Sequence, residues 1–125
     1  MLDSGDFDET ERLVHDWQAG QEGRAAAARE LAQRLSLLSG SARSPDGSVA
    51  VTVGPSGVVR ALTLDEAVRR QPAAQTARSI LATFGAAQAA LVAQVRIAAD
   101  ETVGAGSELG RAVLSSYTPS GAHAH

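Results

Sequence analysis

All of the fixed positive charge in this 125-residue chain comes from eleven arginines; there is no lysine. An arginine fork can hold a carboxylate or a phosphate through two parallel hydrogen bonds. Arg24, Arg29 and Arg34 recur at intervals of five. In a helix each interval turns the side chain by about 140°, so these three do not form one stripe. Arg69, Arg70 and Arg78 cluster before and inside the last long apolar segment. Two chemistries fit these residues. Contacts to phosphate would give binding that tolerates sequence and weakens as salt rises. Solvated arginines paired with Glu22, Glu30 and Glu66 would give nothing beyond solubility, and composition alone favours that plainer reading.

Catalytic chemistry finds little support. With no cysteine there is no thiol nucleophile, zinc-thiolate site or disulfide framework. With no lysine a Walker A loop is impossible. The segment GAGSELG at 104–110 resembles a dinucleotide loop only superficially: its glycine spacing is wrong, it follows a helical segment, and no parallel βαβ unit surrounds it. It reads as a helix terminator. His15 sits among acids on a helical segment and reads as solvated. His123 and His125 are two ligands near the end of the chain, too few for a catalytic metal site. No serine, aspartate or glutamate stands beside a base in a recognisable arrangement. No enzyme activity, no metal and no cofactor are expected.

The elements that must position any site are organised around Ser44–Asp65, SPDGSVAVTVGPSGVVRALTLD. Val49, Val51 and Val53 alternate with smaller or polar residues, the period of a strand with one buried face. Gly54-Pro55-Ser56-Gly57 turns the chain, and Val58–Leu64 returns, with Val58, Leu62 and Leu64 on one face and Arg60 interrupting it. Ser44-Pro45-Asp46-Gly47 is a second turn, and Ser41–Arg43 supplies a short first strand. So small a sheet cannot hide its apolar face alone, and the helical segments on either side must cover it.

The first of those helices is expected over residues 8–38, capped by Asp6 or Asp8. From Ala28 its apolar positions Leu31, Leu35 and Leu38 step by 3, 4 and 3, the spacing of a helix-packing seam. Gly20 and Gly23 weaken its middle by about 1 kcal/mol each relative to alanine. The helix is longer than the sheet, so its N-terminal half must project, and Trp17 on that half needs a partner. Asp65 is placed to cap a short turn over Glu66–Arg70. A second long helix is expected over residues 72–103, with Ala77, Leu81, Phe84, Gln88, Leu91, Val95 and Ala98 as its seam. Ser107–Leu114 reads as a loose helical turn.

Charge and length bound the rest. Residues 1–16 hold six acids and one arginine, whereas residues 17–99 hold nine arginines and five acids, so a mildly basic middle follows an acidic start. Residues 1–7 are expected as a disordered acidic leader, residues 8–103 as the single domain, and residues 104–125 as a flexible C-terminal tail. No apolar run approaches the roughly 18 residues that span a bilayer. The acidic opening lacks the basic region of a signal peptide, so a cytoplasmic protein is expected.

The order of elements, the run SPDGSVAVTVGPSGVVRALTLD and the later AAQAALVAQV at 86–95 resemble the YbaB/EbfC family over about residues 10–103. The resemblance implies an α+β fold of the order α-β-β-β-α: a long helix, a three-stranded antiparallel meander and a second long helix. It also implies a tweezer-like homodimer with DNA bound in or along projecting helices, located in the cytoplasm at the nucleoid, without a cofactor. The alanine-rich, arginine-only style is similar to the actinobacterial branch, where some relatives accompany type VII secretion and act through protein partners. The reading adopted is a non-enzymatic, nucleoid-associated bacterial protein that binds DNA phosphates without sequence preference as a homodimer. The alternative is a protein-interaction module, a chaperone or scaffold, with no DNA binding. The candidate DNA contacts are Arg24, Arg29, Arg34, Arg69, Arg70 and Arg78. The candidate dimer seam is Trp17, Leu31, Leu35, Phe84 and Leu91. No membrane partner is expected.

Overall fold

The structure, a computed structural model, describes residues 4–117. Helix α1 spans Ser4–Leu35, strands β1, β2 and β3 span Gly40–Arg43, Val49–Val53 and Val59–Leu64, and a 3₁₀ turn covers Glu66–Arg70. Helix α2 runs over Ala73–Thr102 and helix α3 over Glu108–Tyr117. The strands form an antiparallel meander in the order β1-β2-β3. The α-β-β-β-α order expected from sequence is therefore the observed one.

Both turns have the chemistry their sequences suggest. The Gly47 N–H donates to the Ser44 carbonyl at 2.9 Å, and Gly47 has φ 78°. Gly57 repeats the arrangement on the Gly54 carbonyl at 2.9 Å, with φ 84°. Glycine carries these left-handed angles without steric cost. Asp65 caps the 3₁₀ turn, its carboxylate accepting from the Ala67 N–H at 3.0 Å.

The core lies between α2 and the first two strands. Val49, Val51 and Val53 are buried beneath Ala87, Leu91 and Val95. A second cluster joins Leu31 of α1 to Ala98 and Ala99. The helices run antiparallel: Ala27 and Val103 line one groove, Leu31 lies against Ala98 and Ala99, and Gly40, just past α1, abuts Ala87 and Leu91. α1 thus leaves the body at one end while α2 continues over the sheet toward the other. Every residue from 9 to 26 is exposed, as the expected projection requires.

Several expectations change. α1 starts at Ser4, so residues 4–7 of the expected leader belong to the helix, and it ends at Leu35, three residues earlier than its seam suggested. The stripe of α2 is rotated in its first half. Thr83, Ala87, Leu91 and Val95 are buried in steps of four, whereas Leu81 is 69% exposed and Ala77 is exposed. A row of i±4 positions is inclined to the helix axis, and it is this row that lies on the strands. Phe84 is half-buried at the edge of the core. Within the expected tail, Glu108–Tyr117 is a helix whose Val113, Leu114 and Tyr117 pack against the core. The tail's histidines, His123 and His125, lie outside the described residues. By length and mean hydropathy α2 is also apolar enough to cross a membrane, although Gln and Arg residues interrupt its apolar runs. Its buried stripe is nevertheless the centre of the core.

The sheet is covered less completely than expected. α2 packs on β1 and β2, while β3 is exposed along its whole length. Leu62 and Leu64 pair with the buried Val51 and Val49 and so share their face, yet they are 47% and 43% exposed.

Candidate nucleic-acid interface

The structure separates the six candidate arginines into two groups. Arg24, Arg29 and Arg34 lie on α1, and Arg34 is engaged with Glu101 of α2. Arg69 and Arg70 end the 3₁₀ turn, and Arg78 is on the second turn of α2. From the antiparallel register and a rise of 1.5 Å per residue, Arg24 and Arg78 are on the order of 40 Å apart along the helix axes. The α1 projection, residues 9–26, carries four acids and two arginines. A phosphate backbone finds no attraction there.

The other end of the molecule is better suited. α2 begins after Pro72 with no side-chain cap and no acid in its first turn. The Gln75 and Thr76 N–H groups both turn back to the Pro72 carbonyl. An uncapped N-terminus presents N–H groups and the positive end of the helix dipole. Arg70 and Arg78 flank it in sequence, and neither forms an ion pair among the described residues. Arg69 pairs with Glu66 at 3.1 Å, both side chains about four-fifths exposed. Such a surface pair contributes at most about 1 kcal/mol and exchanges readily for a phosphate.

Tertiary contacts bring a fourth arginine to this end. The Gln71 amide donates to Asp46 at 3.3 Å, so the turn after β1 lies beside the 3₁₀ turn. Arg43, the last residue of β1, lines a shallow cleft of about 190 Å³ with Ser48, Thr63 and Asp65. Sequence reasoning passed over Arg43 because 26 positions separate it from Arg69; the only available signal was its place next to a turn.

Asp46 holds this corner together. Its Oδ1 accepts from the Ser48 N–H at 3.0 Å, the Ser48 hydroxyl at 2.7 Å and the Ser44 hydroxyl at 2.8 Å. These bonds, the Ser48 N–H foremost, hold its carboxyl well below the ordinary carboxylate range. A depressed folded-state pKa stabilises the protein fully above the unfolded value of about 3.9, and the contribution fades as pH falls toward the folded value. Asp46→Asn is therefore expected to lower the melting temperature at pH 7. The gap to the parent should narrow between pH 4 and pH 2. A gap independent of pH would show that the carboxylate charge is not what the turn uses.

The remaining motifs are structural. Gly104 ends α2 with φ 87°, its N–H bonded to the Ala99 carbonyl at 2.7 Å. The Ser107 hydroxyl accepts from the Gly110 N–H at 3.0 Å and so caps α3. A Cβ at Gly110 would strike the Gly104 carbonyl. Gly104 and Gly110 thus serve a tight connection between helices. His15 is exposed. Among the described residues no group of three or more His, Asp or Glu could hold a metal. Of the candidate seam, Leu31 and Leu91 are each 2% exposed within one protomer, Leu35 and Phe84 are half-buried, and Trp17 is 63% exposed.

Residues 9–106 match the profile of the YbaB/EbfC DNA-binding family. Neither a curated protein nor a solved structure matches the chain.

Proposed function

The chain belongs to the YbaB/EbfC DNA-binding family, and on that premise we propose that it binds duplex DNA through the end of the protomer that carries Arg43, Arg69, Arg70 and Arg78. The family's members are nucleoid-associated and bacterial, and a cytoplasmic, nucleoid-bound protein without enzymatic activity is the role that fits. The observation that carries the placement is the uncapped α2 N-terminus with Arg70 and Arg78 beside it. Backbone N–H groups at a helix start and arginine forks both select phosphate oxygens. No aromatic platform accompanies them, so the contacts fix the duplex by its backbone and carry no sequence information.

The bare inner face of β3 supports a homodimer. Val59, Leu62 and Leu64 lie against buried valines of β2 and are all more than 40% exposed. A second copy covering this face would remove apolar area from water at about 25 cal/mol per Å². It would also give the dimer two basic ends, so that binding gains from both.

The test is a DNA shift assay across a salt series. Each phosphate contact contributes about 0.9 to the slope of log K against log salt. Arg70→Ala with Arg78→Ala should weaken binding equally on unrelated DNA sequences and flatten that slope by nearly two units for each bound protomer. An unchanged slope would place the interface elsewhere.

A further inference from the structure

Given the DNA reading above, on which this rests, we propose that Asp46 and Gln71 are positioning residues for DNA. Through a side-chain relay across the basic end they hold Arg43 in register with Arg70 and Arg78. Burial alone does not set that register. β3 is exposed along its length, and the 3₁₀ turn contains no buried residue. The first buried residue of α2 is Thr83, more than one turn beyond Arg78. Arg69, Arg70 and Arg78 therefore stand on backbone that the core leaves largely unclamped.

Polar side chains clamp it instead. The Gln71 amide Nε2 donates to Asp46 Oδ2 at 3.3 Å, while its Oε1 accepts from the Thr76 hydroxyl at 3.4 Å. One side chain thus joins the turn after β1, the end of the 3₁₀ turn and the first turn of α2. An amide suits this place, because it can donate to a carboxylate on one side and accept from a hydroxyl on the other.

Asp46 carries the relay to Arg43. Its Oδ1 accepts from the Ser44 hydroxyl at 2.8 Å, and the Ser44 oxygen accepts in turn from the Val49 N–H at 3.0 Å. Ser44 follows Arg43 directly, so the relay starts at the residue next to that arginine. It ends at Thr76, on the turn of α2 that leads to Arg78. A backbone bond from the Asp65 N–H to the Ser48 carbonyl, at 2.8 Å, fixes the start of the 3₁₀ turn against the same corner. Gln71 fixes its other end, where Arg69 and Arg70 stand.

A carboxylate at a phosphate-binding end repels the ligand by its charge. Asp46 offsets that repulsion through order. Binding must immobilise flexible arginine side chains, and a backbone already held in register removes part of that cost. Arg43, Arg70 and Arg78 form no ion pair among the described residues, so each can turn to phosphate. Glu66 has the contrary effect. It engages Arg69 at 3.1 Å and competes with phosphate for that fork. Two acids at one end of the molecule thus act on binding with opposite signs.

The test measures the dissociation constant of the full chain for a mixed-sequence duplex at several salt concentrations. The temperature is one at which circular dichroism shows every variant folded. Glu66→Gln should tighten binding. Asp46→Asn also removes a negative charge, yet it should weaken binding by about threefold to tenfold. Gln71→Met keeps the length and the net charge and loses both hydrogen bonds, and it should weaken binding by a similar factor. Arg43→Ala should cost less affinity in the Gln71→Met background than in the parent, because coupled residues are not additive. Three results would each overturn the relay: Asp46→Asn tightening binding as Glu66→Gln does, parent-like binding by Gln71→Met, or an undiminished cost of Arg43→Ala in that background. In all three the parent still binds DNA, so the DNA reading stands. A parent chain that shifts no DNA at low salt would overturn the DNA reading and the relay together.

Discussion

Gly40→Ala is expected to be among the most damaging single substitutions in this protein, costing about 3 kcal/mol or more. Gly40 opens β1 opposite Val53 and is buried. It has no positive φ, so its conformation does not demand glycine. Space does. A Cβ there would strike the Ala87 carbonyl and come within 2.6 Å of the Leu91 N and 2.9 Å of the Leu91 Cβ. The first two are backbone atoms of α2, which cannot rotate aside as a side-chain tip can. The helix would have to lift from the sheet and loosen every contact of the core between them. Against a total stability of 5–15 kcal/mol typical of a domain, that loss is large. Urea denaturation followed by circular dichroism gives the comparison. Gly23→Ala serves as the control, because its methyl meets nothing within 4 Å and should raise stability by up to about 1 kcal/mol. Equal midpoints for the two variants would mean that β1 and α2 are not so close.

Leu91→Ala is expected to cost about 4 kcal/mol. Leu91 is 2% exposed and packs with Val49, Val51, Val53, Ala87 and Val95. Among the described residues, its fully buried partners in the cluster are valines and an alanine, too short to fill the space a leucine leaves. Phe84, half-buried beside the same cluster, should cost less than a fully buried phenylalanine when truncated. The experiment also distinguishes two roles for Leu91. As a protomer core residue it should lower the unfolding midpoint at every protein concentration. As a dimer-seam residue it would change the dissociation constant and leave the dilute protomer as stable as before.

The arginines show what binding adds to this picture. Their number is visible in composition, but their grouping is not. Arg43 comes to the end of the protomer that carries Arg69, Arg70 and Arg78 because the meander returns the chain to the turn after β1, where Gln71 reaches Asp46. Arg24, close to Arg29 and Arg34 in sequence, lies at the far end beside an open groove.

The elements themselves were set by local sequence. Valines alternating at 49, 51 and 53, glycines at positive φ in both turns, the Asp65 cap and the Gly104 stop each act within a few residues, so their consequences follow without a partner. The projection of α1 also followed from length alone, because a 32-residue helix outruns strands of four to six residues. Three matters were decided only by the tertiary structure. The buried face of α2 is one, since Leu81 and Thr83 fit a helical pattern equally well until the sheet fixes the rotation. Another is α3, whose few apolar residues acquire meaning only from the core that receives Val113, Leu114 and Tyr117. The third is the set of surfaces left bare, on β3 and along α1. A spacing of three and four marks a face as apolar, but what covers it depends on where the neighbouring helix ends, and α2 ends at Thr102.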